Sequence, residues 1–144
     1  MKRILFLFFL FGILLLTCLR IIRILFPSDK EIVGRIIEKG RKAFEKEDIQ
    51  TISEILSPDY LDAWGQDYYR LLSFLRKEFR VYDEIKVFIP SFKVNINKPF
   101  ALCSLFVRVS GLERNSGEEL IYASPLIISL IKENKKWYVI SASE

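Results

Sequence analysis

The hydrophobic period of this chain changes once. Up to Tyr82 the apolar residues recur at helical spacing, and from Ile85 they alternate. All predicted helices therefore precede all predicted strands, which makes the chain an α+β fold with an antiparallel sheet. Val33, Ile36, Ile37, Gly40, Ala43 and Phe44 form the stripe of a helix from about Ser28 to Glu47. Asp48 opens a short second helix carrying Ile49, Ile52, Ile55 and Leu56, closed by Ser57-Pro58-Asp59. A third helix follows Gly65, with Tyr68, Leu71, Leu72, Leu75, Phe79 and Tyr82 on one side. The alternating segments are Lys86 to Asn97, as one long strand or a pair bent at Pro90, then Phe100 to Leu112, Leu120 to Glu133 and Trp137 to Ala142. Pro125 marks a bulge or an edge, because proline cannot donate to a strand ladder.

The excess charge is not in the domain. The chain holds 22 basic and 18 acidic residues, for a net charge of +4. The four basic residues Lys2, Arg3, Arg20 and Arg23 precede Ser28, so the remainder is formally neutral. That balance argues against nucleic-acid binding, which needs a basic footprint. There is no histidine, which removes the usual neutral-pH base and the commonest metal ligand. The two cysteines, Cys18 and Cys103, form no metal-binding motif, and Cys103 has no disulfide partner within the domain. No metal, cofactor or catalytic residue is assigned from the sequence.

Ile4 to Leu19 is uninterrupted apolar sequence, roughly 24 Å as a helix. Arg20 and Arg23 lie on one face and can snorkel, extending the span toward Pro27. No pair of small residues offers a cleavage site. Leu15-Leu16-Thr17-Cys18 departs from a lipoprotein signal at Thr17, so Cys18 reads as a buried apolar residue. The expectation is an uncleaved single-pass anchor over residues 1–27 and a domain over 28–144. Lys2 and Arg3 ahead of the run favour a periplasmic domain, whereas Arg20 and Arg23 argue the other way.

Two of the strands are apolar on both faces. Leu102 and Phe106 oppose Ala101, Cys103, Leu105 and Val107, and Ile127 opposes Leu126 and Ile128. Three helices cover one face of a sheet, leaving Leu102, Phe106 and Ile127 as a candidate homodimer face. The alternative is cover from within the chain. The polar-aromatic stretch DYLDAWGQDYY offers Tyr60, Asp62, Trp64, Asp67, Tyr68 and Tyr69, with Leu72 beneath them, as a candidate lining for a small apolar ligand. The plainer assignment has Tyr60, Trp64 and Tyr68 sealing the open end of the core with their polar tips in water, and Asp62 or Asp67 capping the third helix.

RKAFEKEDIQTISEILSPDYLD, GQDYYRLLSFLRKEFRVYDEIKV and the closing LIISLIKENKKWYVISASE, in this order, resemble the nuclear transport factor 2-like superfamily, which includes SnoaL-like and ketosteroid isomerase-like proteins. The resemblance covers Ser28 to Glu144 and implies a cone of three helices on a curved antiparallel sheet. It implies no single function. Enzymes of the isomerase type in this superfamily use an Asp base and a Tyr donor, and dehydratase and cyclase relatives add a His that this chain lacks. The expected function is a membrane-tethered, non-enzymatic domain for protein interaction or small-ligand binding. The alternatives are an isomerase- or cyclase-type enzyme using Asp62 or Asp67 with a Tyr, and an assembly component resembling inner-membrane subunits of type IV secretion systems.

Overall fold

The computed structural model describes the backbone of residues 2–25 and 27–144 and the side chains of 11–22 and 27–144. Four helices precede five strands: α1 Lys2–Leu25, α2 Asp29–Glu45, α3 Ile49–Ile55, α4 Tyr68–Val81, β1 Tyr82–Phe88, β2 Phe92–Asn97, β3 Phe100–Glu113, β4 Glu119–Glu133 and β5 Lys136–Ser143. Among the described residues no helix is long and apolar enough to cross a membrane. Both ends of the expected span, side chains 1–10 and 23–26, lie outside those residues. Cys18 is not covered by protein: it is exposed among the described residues.

Caps set the helix starts where the sequence places them. The Ser28 hydroxyl accepts from the Glu31 N–H, and the Glu31 carboxylate accepts from the Ser28 N–H, completing a capping box for α2. Asp48 caps α3 through the Thr51 N–H. Asp67, not Asp62, caps α4 through the Arg70 N–H at 2.9 Å.

The sheet is antiparallel, and β1 and β2 lie end to end along one side of β3. Pro90 falls in the break between them, so the bent pair expected there is two strands. Strand structure starts at Tyr82, three residues ahead of the change in period. Glu84 adopts a left-handed φ of 50° inside a register shift between Asp83 and Lys86. That bulge lets Tyr82 and Asp83 pair with Glu113 and Leu112 before the regular alternation begins. Pro125 pairs in unbroken register with Phe106, so it marks no bulge; β5 pairs only from Ile127 onward, and Pro125 sits on the open edge of β4.

α2, α3 and α4 cover one face of this sheet. Val33, Ile37 and Ala43 of α2, Leu72, Leu75 and Phe79 of α4, and Ala101, Cys103, Leu105 and Val107 of β3 are buried together with Leu130 and Trp137. The Phe44 and Phe79 rings meet edge to face at 5.1 Å. Each fully buried Leu or Val contributes about 1.5–3 kcal/mol.

The outer sides of β1 and β5 are met by side chains and by backbone, respectively. On β1, the Val87 N–H donates to Glu45 Oε1 at 2.9 Å, and the Val87 carbonyl accepts from Arg41 Nη1 at 3.4 Å. Two α2 side chains thus occupy the place of a neighbouring strand, held by the Arg41–Glu45 ion pair at 2.8 Å. On β5, residues 57–63 run alongside: the N–H groups of Ser57, Leu61 and Ala63 donate to the carbonyls of Val139, Ile140 and Ala142.

Charged groups tie the two ends. Asp29, at the first position of α2, accepts from Lys132 Nζ and Trp137 Nε1 and pairs with Lys98 at 2.7 Å. At the far end Arg114 reaches Asp83 at 2.9 Å, Glu47 at 3.3 Å and the Phe79 carbonyl at 3.3 Å. Hydrogen bonds from Lys132, Lys98 and Trp137 hold the Asp29 carboxyl well below the usual carboxylate range. A depressed folded-state pKa gives stability that is complete above the unfolded value, near 3.9, and is lost as pH falls through the folded value. Asp29→Asn should therefore cost about 2 kcal/mol at neutral pH, and the difference from wild type should shrink below about pH 4. Thermal unfolding followed by circular dichroism at pH 7 and pH 3 checks this; a gap equal at both would remove Asp29 from that role.

Candidate functional site

The stretch between α3 and α4 is shaped by its attachment to β5. Residues 57–63 follow the β5 edge, then the chain reverses so that Leu61 bridges Asp67. Gly65 supplies the left-handed φ of 78° that this reversal needs. Asp62 braces the loop from inside: its Oδ1 accepts from the Trp64 N–H at 3.0 Å and the Gln66 N–H at 2.8 Å. The Tyr60 hydroxyl donates to Asp62 Oδ2 at 3.4 Å. Burial, with the Asp62 charge beside it, pushes the Tyr60 phenol far above its ordinary range, so it is a proton donor at every physiological pH.

The seven expected lining residues separate by depth. Tyr60, Asp62 and Leu72 are buried, and Asp67 and Tyr68 are half-buried. Trp64 and Tyr69 stand in solvent at 53% and 80% exposure, with Tyr69 edge-on to Tyr68 at 5.2 Å. Tyr60 therefore does not seal the core with its tip in water; its hydroxyl is inside, on Asp62. Trp64 is too far out to seal anything. Both carboxylates are engaged, Asp62 in the loop and Asp67 at the α4 cap, where Arg70 Nε lies 3.6 Å away. A depression of about 570 Å³ lies elsewhere, on the exposed side of α2 between Glu31, Arg35 and Lys42, and shares no residue with this stretch.

The other surface is the outer face of the sheet. Leu102, Phe106 and Ile127 are exposed, at 49%, 48% and 41%. Register places Ser104 opposite Ile127 and Phe106 opposite Pro125, so all three side chains share one face. The same parity adds Phe88, Phe100 and Ile121, each at least 49% exposed. Sequence reasoning missed these three. The parity of FALCSLF already placed Phe100 with Leu102 and Phe106, whereas Phe88 and Ile121 join them only through strand register.

On the helix-covered side, Leu120 and Tyr122 face inward, opposite Gly111 and Val109, yet are 46% and 44% exposed. The concave face is thus uncovered beyond the reach of α4.

No family model matches the sequence, and no curated protein matches it. Solved structures do. A nuclear transport factor 2-like superfamily protein from Salmonella enterica superposes with a TM-score of 0.71 at 11% identity, over 78% of this chain and 87% of its own. A protein from Streptomyces avermitilis, named as a candidate dehydratase of that family, gives 0.69 at 15% identity over 79% and 93%. One from Novosphingobium aromaticivorans, named as a candidate aromatic ring hydroxylase, gives 0.72 at 13% identity over 79% and 85%. At these identities the likeness establishes the fold, an α+β cone of nuclear transport factor 2-like type.

The role of Asp62 as a brace has a direct consequence. Asp62→Ala should cost about 2–3 kcal/mol by leaving two N–H groups and a buried phenol unmet, whereas Asp62→Asn, which keeps one acceptor oxygen, should cost about 1. Chemical denaturation of the two variants checks the order; equal and negligible losses would mean that the loop does not depend on Asp62.

Proposed function

We propose that this chain is a membrane-tethered interaction domain whose outer sheet face meets a second copy of itself. The observation that carries the reading is the set of large apolar side chains, Phe88, Phe100, Leu102, Phe106, Ile121 and Ile127, exposed on one face. A 14-residue β3 with four strand rows covers roughly 46 Å by 19 Å, or about 900 Å². A standard interface takes ~800 Å² from each partner, so one sheet face is enough for a dimer. The six exposed apolar side chains on it form the kind of patch that marks an interaction site. The tether rests on Ile4 to Leu19 and its basic flanks, and Lys2 and Arg3 favour a periplasmic domain. Interaction is preferred over turnover because Asp62 and Asp67 are each committed to bracing backbone.

A second reading has its own support. The inward-facing but uncovered Leu120 and Tyr122 offer a concave apolar surface for a small ligand.

Native mass spectrometry of the full chain released from detergent addresses both readings. The wild type should fly as a dimer, and Phe106→Glu as a folded monomer, since a charge at the centre of an apolar contact costs several kcal/mol. A Phe106→Glu variant that stays dimeric would overturn the sheet-face contact. Rings of higher order would turn the reading toward an assembly subunit, and a retained small mass lost in Tyr122→Ala would place a ligand on the concave side.

A further inference from the structure

The domain is neutral in sum but polarised along its length. The three chain segments gathered around Asp29 are the start of α2, the β2–β3 turn and the β4–β5 turn. They carry Lys30, Lys98, Lys132, Lys135 and Lys136 against Asp29, Glu31 and Glu133. Lys98 and Lys132 are engaged by Asp29, while Lys30, Lys135 and Lys136 are exposed. The three segments gathered around Arg114 are the α2–α3 turn, the α4–β1 junction and the β3–β4 turn. There the balance reverses: Glu47, Asp83, Glu84, Glu113, Glu118 and Glu119, with Asp48 at the α3 cap, outweigh Lys46, Arg80 and Arg114.

The two ends are far enough apart to act separately. α2 runs from one to the other, and its 17 residues span roughly 25 Å. The Debye length at physiological salt is only about 8 Å. The basic end is also the end at which the N-terminal helix enters, since α1 stops at Leu25 and α2 starts at Asp29.

We infer that this basic end docks on anionic phospholipid headgroups and holds the domain upright, with its acidic end directed away from the bilayer. Complementary charge attracts the near end, and the same lipid charge repels the far one. The outer sheet face then stands perpendicular to the membrane, open to a second copy. The inference rests on the membrane tether proposed above.

The test uses the full chain in phosphatidylcholine vesicles, with and without phosphatidylglycerol, and a lipid carrying a nitroxide quencher on its headgroup. Cys18 is replaced by Ala. Burial pushes the Cys103 thiol up to about 11, which keeps it unreactive toward labels at neutral pH. A fluorophore is placed at Asn97→Cys, near the basic end, or at Asn115→Cys, near the acidic end. With phosphatidylglycerol present, the probe at 97 should be quenched strongly and the probe at 115 weakly. Neutralising Lys30→Gln, Lys135→Asn and Lys136→Gln should lower the docked population about five-fold per lysine, and raised salt should do the same. Quenching at 97 that is indifferent to phosphatidylglycerol and to the three substitutions overturns the inference. Displacement from the vesicles by a short DNA duplex would assign the basic end to nucleic acid and overturn it as well. Protein that fails to float with either vesicle would instead sink the tether.

Discussion

The Asp29 carboxylate gathers three separate segments of the chain at one point. It occupies the first turn of α2, where the helix dipole favours a negative charge. From there it receives Lys98 from the β2–β3 turn and Lys132 and Trp137 from the last hairpin. Lys132 also lies over the Trp137 ring, 5.7 Å from its centre. One side chain thus fixes the first helix of the domain to the β2–β3 turn and to the β4–β5 hairpin, at one end of the sheet. The rest of the packing follows from that placement. With its start fixed, α2 lays Val33, Ile37 and Ala43 onto the core and carries Arg41 and Glu45 to the β1 edge.

The arrangement separates two problems that small sheets face. Strand edges invite uncontrolled pairing, and exposed faces invite association. Here β1 is closed by side chains and most of β5 by the backbone of residues 57–63. The outer face is left open, and the sheet gives it a defined size and outline. Association through such a face is limited to what matches it, whereas association through an open edge propagates. Among the described residues the outer side of β2 and the Glu119 to Leu126 stretch of β4 have no such backbone partner, and in β4 Pro125 interrupts the row of donors.

The element order and the core were legible because each rests on local periodicity. Val33, Ile37, Leu72, Leu75 and Phe79 are buried as their spacing requires. The exposure of Leu102, Phe106 and Ile127 was legible for the same reason, since alternation assigns a face and three helices cover only one. The site around Tyr60 was less so. Composition cannot say whether DYLDAWGQDYY folds inward or outward, because that depends on Ser57, Leu61 and Ala63 bonding to β5, some eighty residues later in the chain. Asp62 and Asp67 looked equivalent in sequence and differ only through this attachment. The early start of β1 was hidden as well: it needs a left-handed Glu84, a conformation no pattern of hydrophobicity reports. The polarity of the two ends also escaped a count of charges, because the turns that share an end are scattered along the chain.

The contact between α2 and β1 carries a consequence for how this domain can vary. Arg41 and Glu45 lie one helical turn apart, and together they satisfy the donor and acceptor of a single strand residue, Val87. Inserting or deleting one residue ahead of them, anywhere between Asp29 and Arg41, would turn both side chains by about 100° around the helix axis and remove them from that edge. The length of α2 is therefore set by the sheet as firmly as its apolar stripe is. Substitutions along its outer surface are open to drift, but changes in length are not, and a domain of this kind should accept new material in the β3–β4 turn long before it accepts any in its first helix.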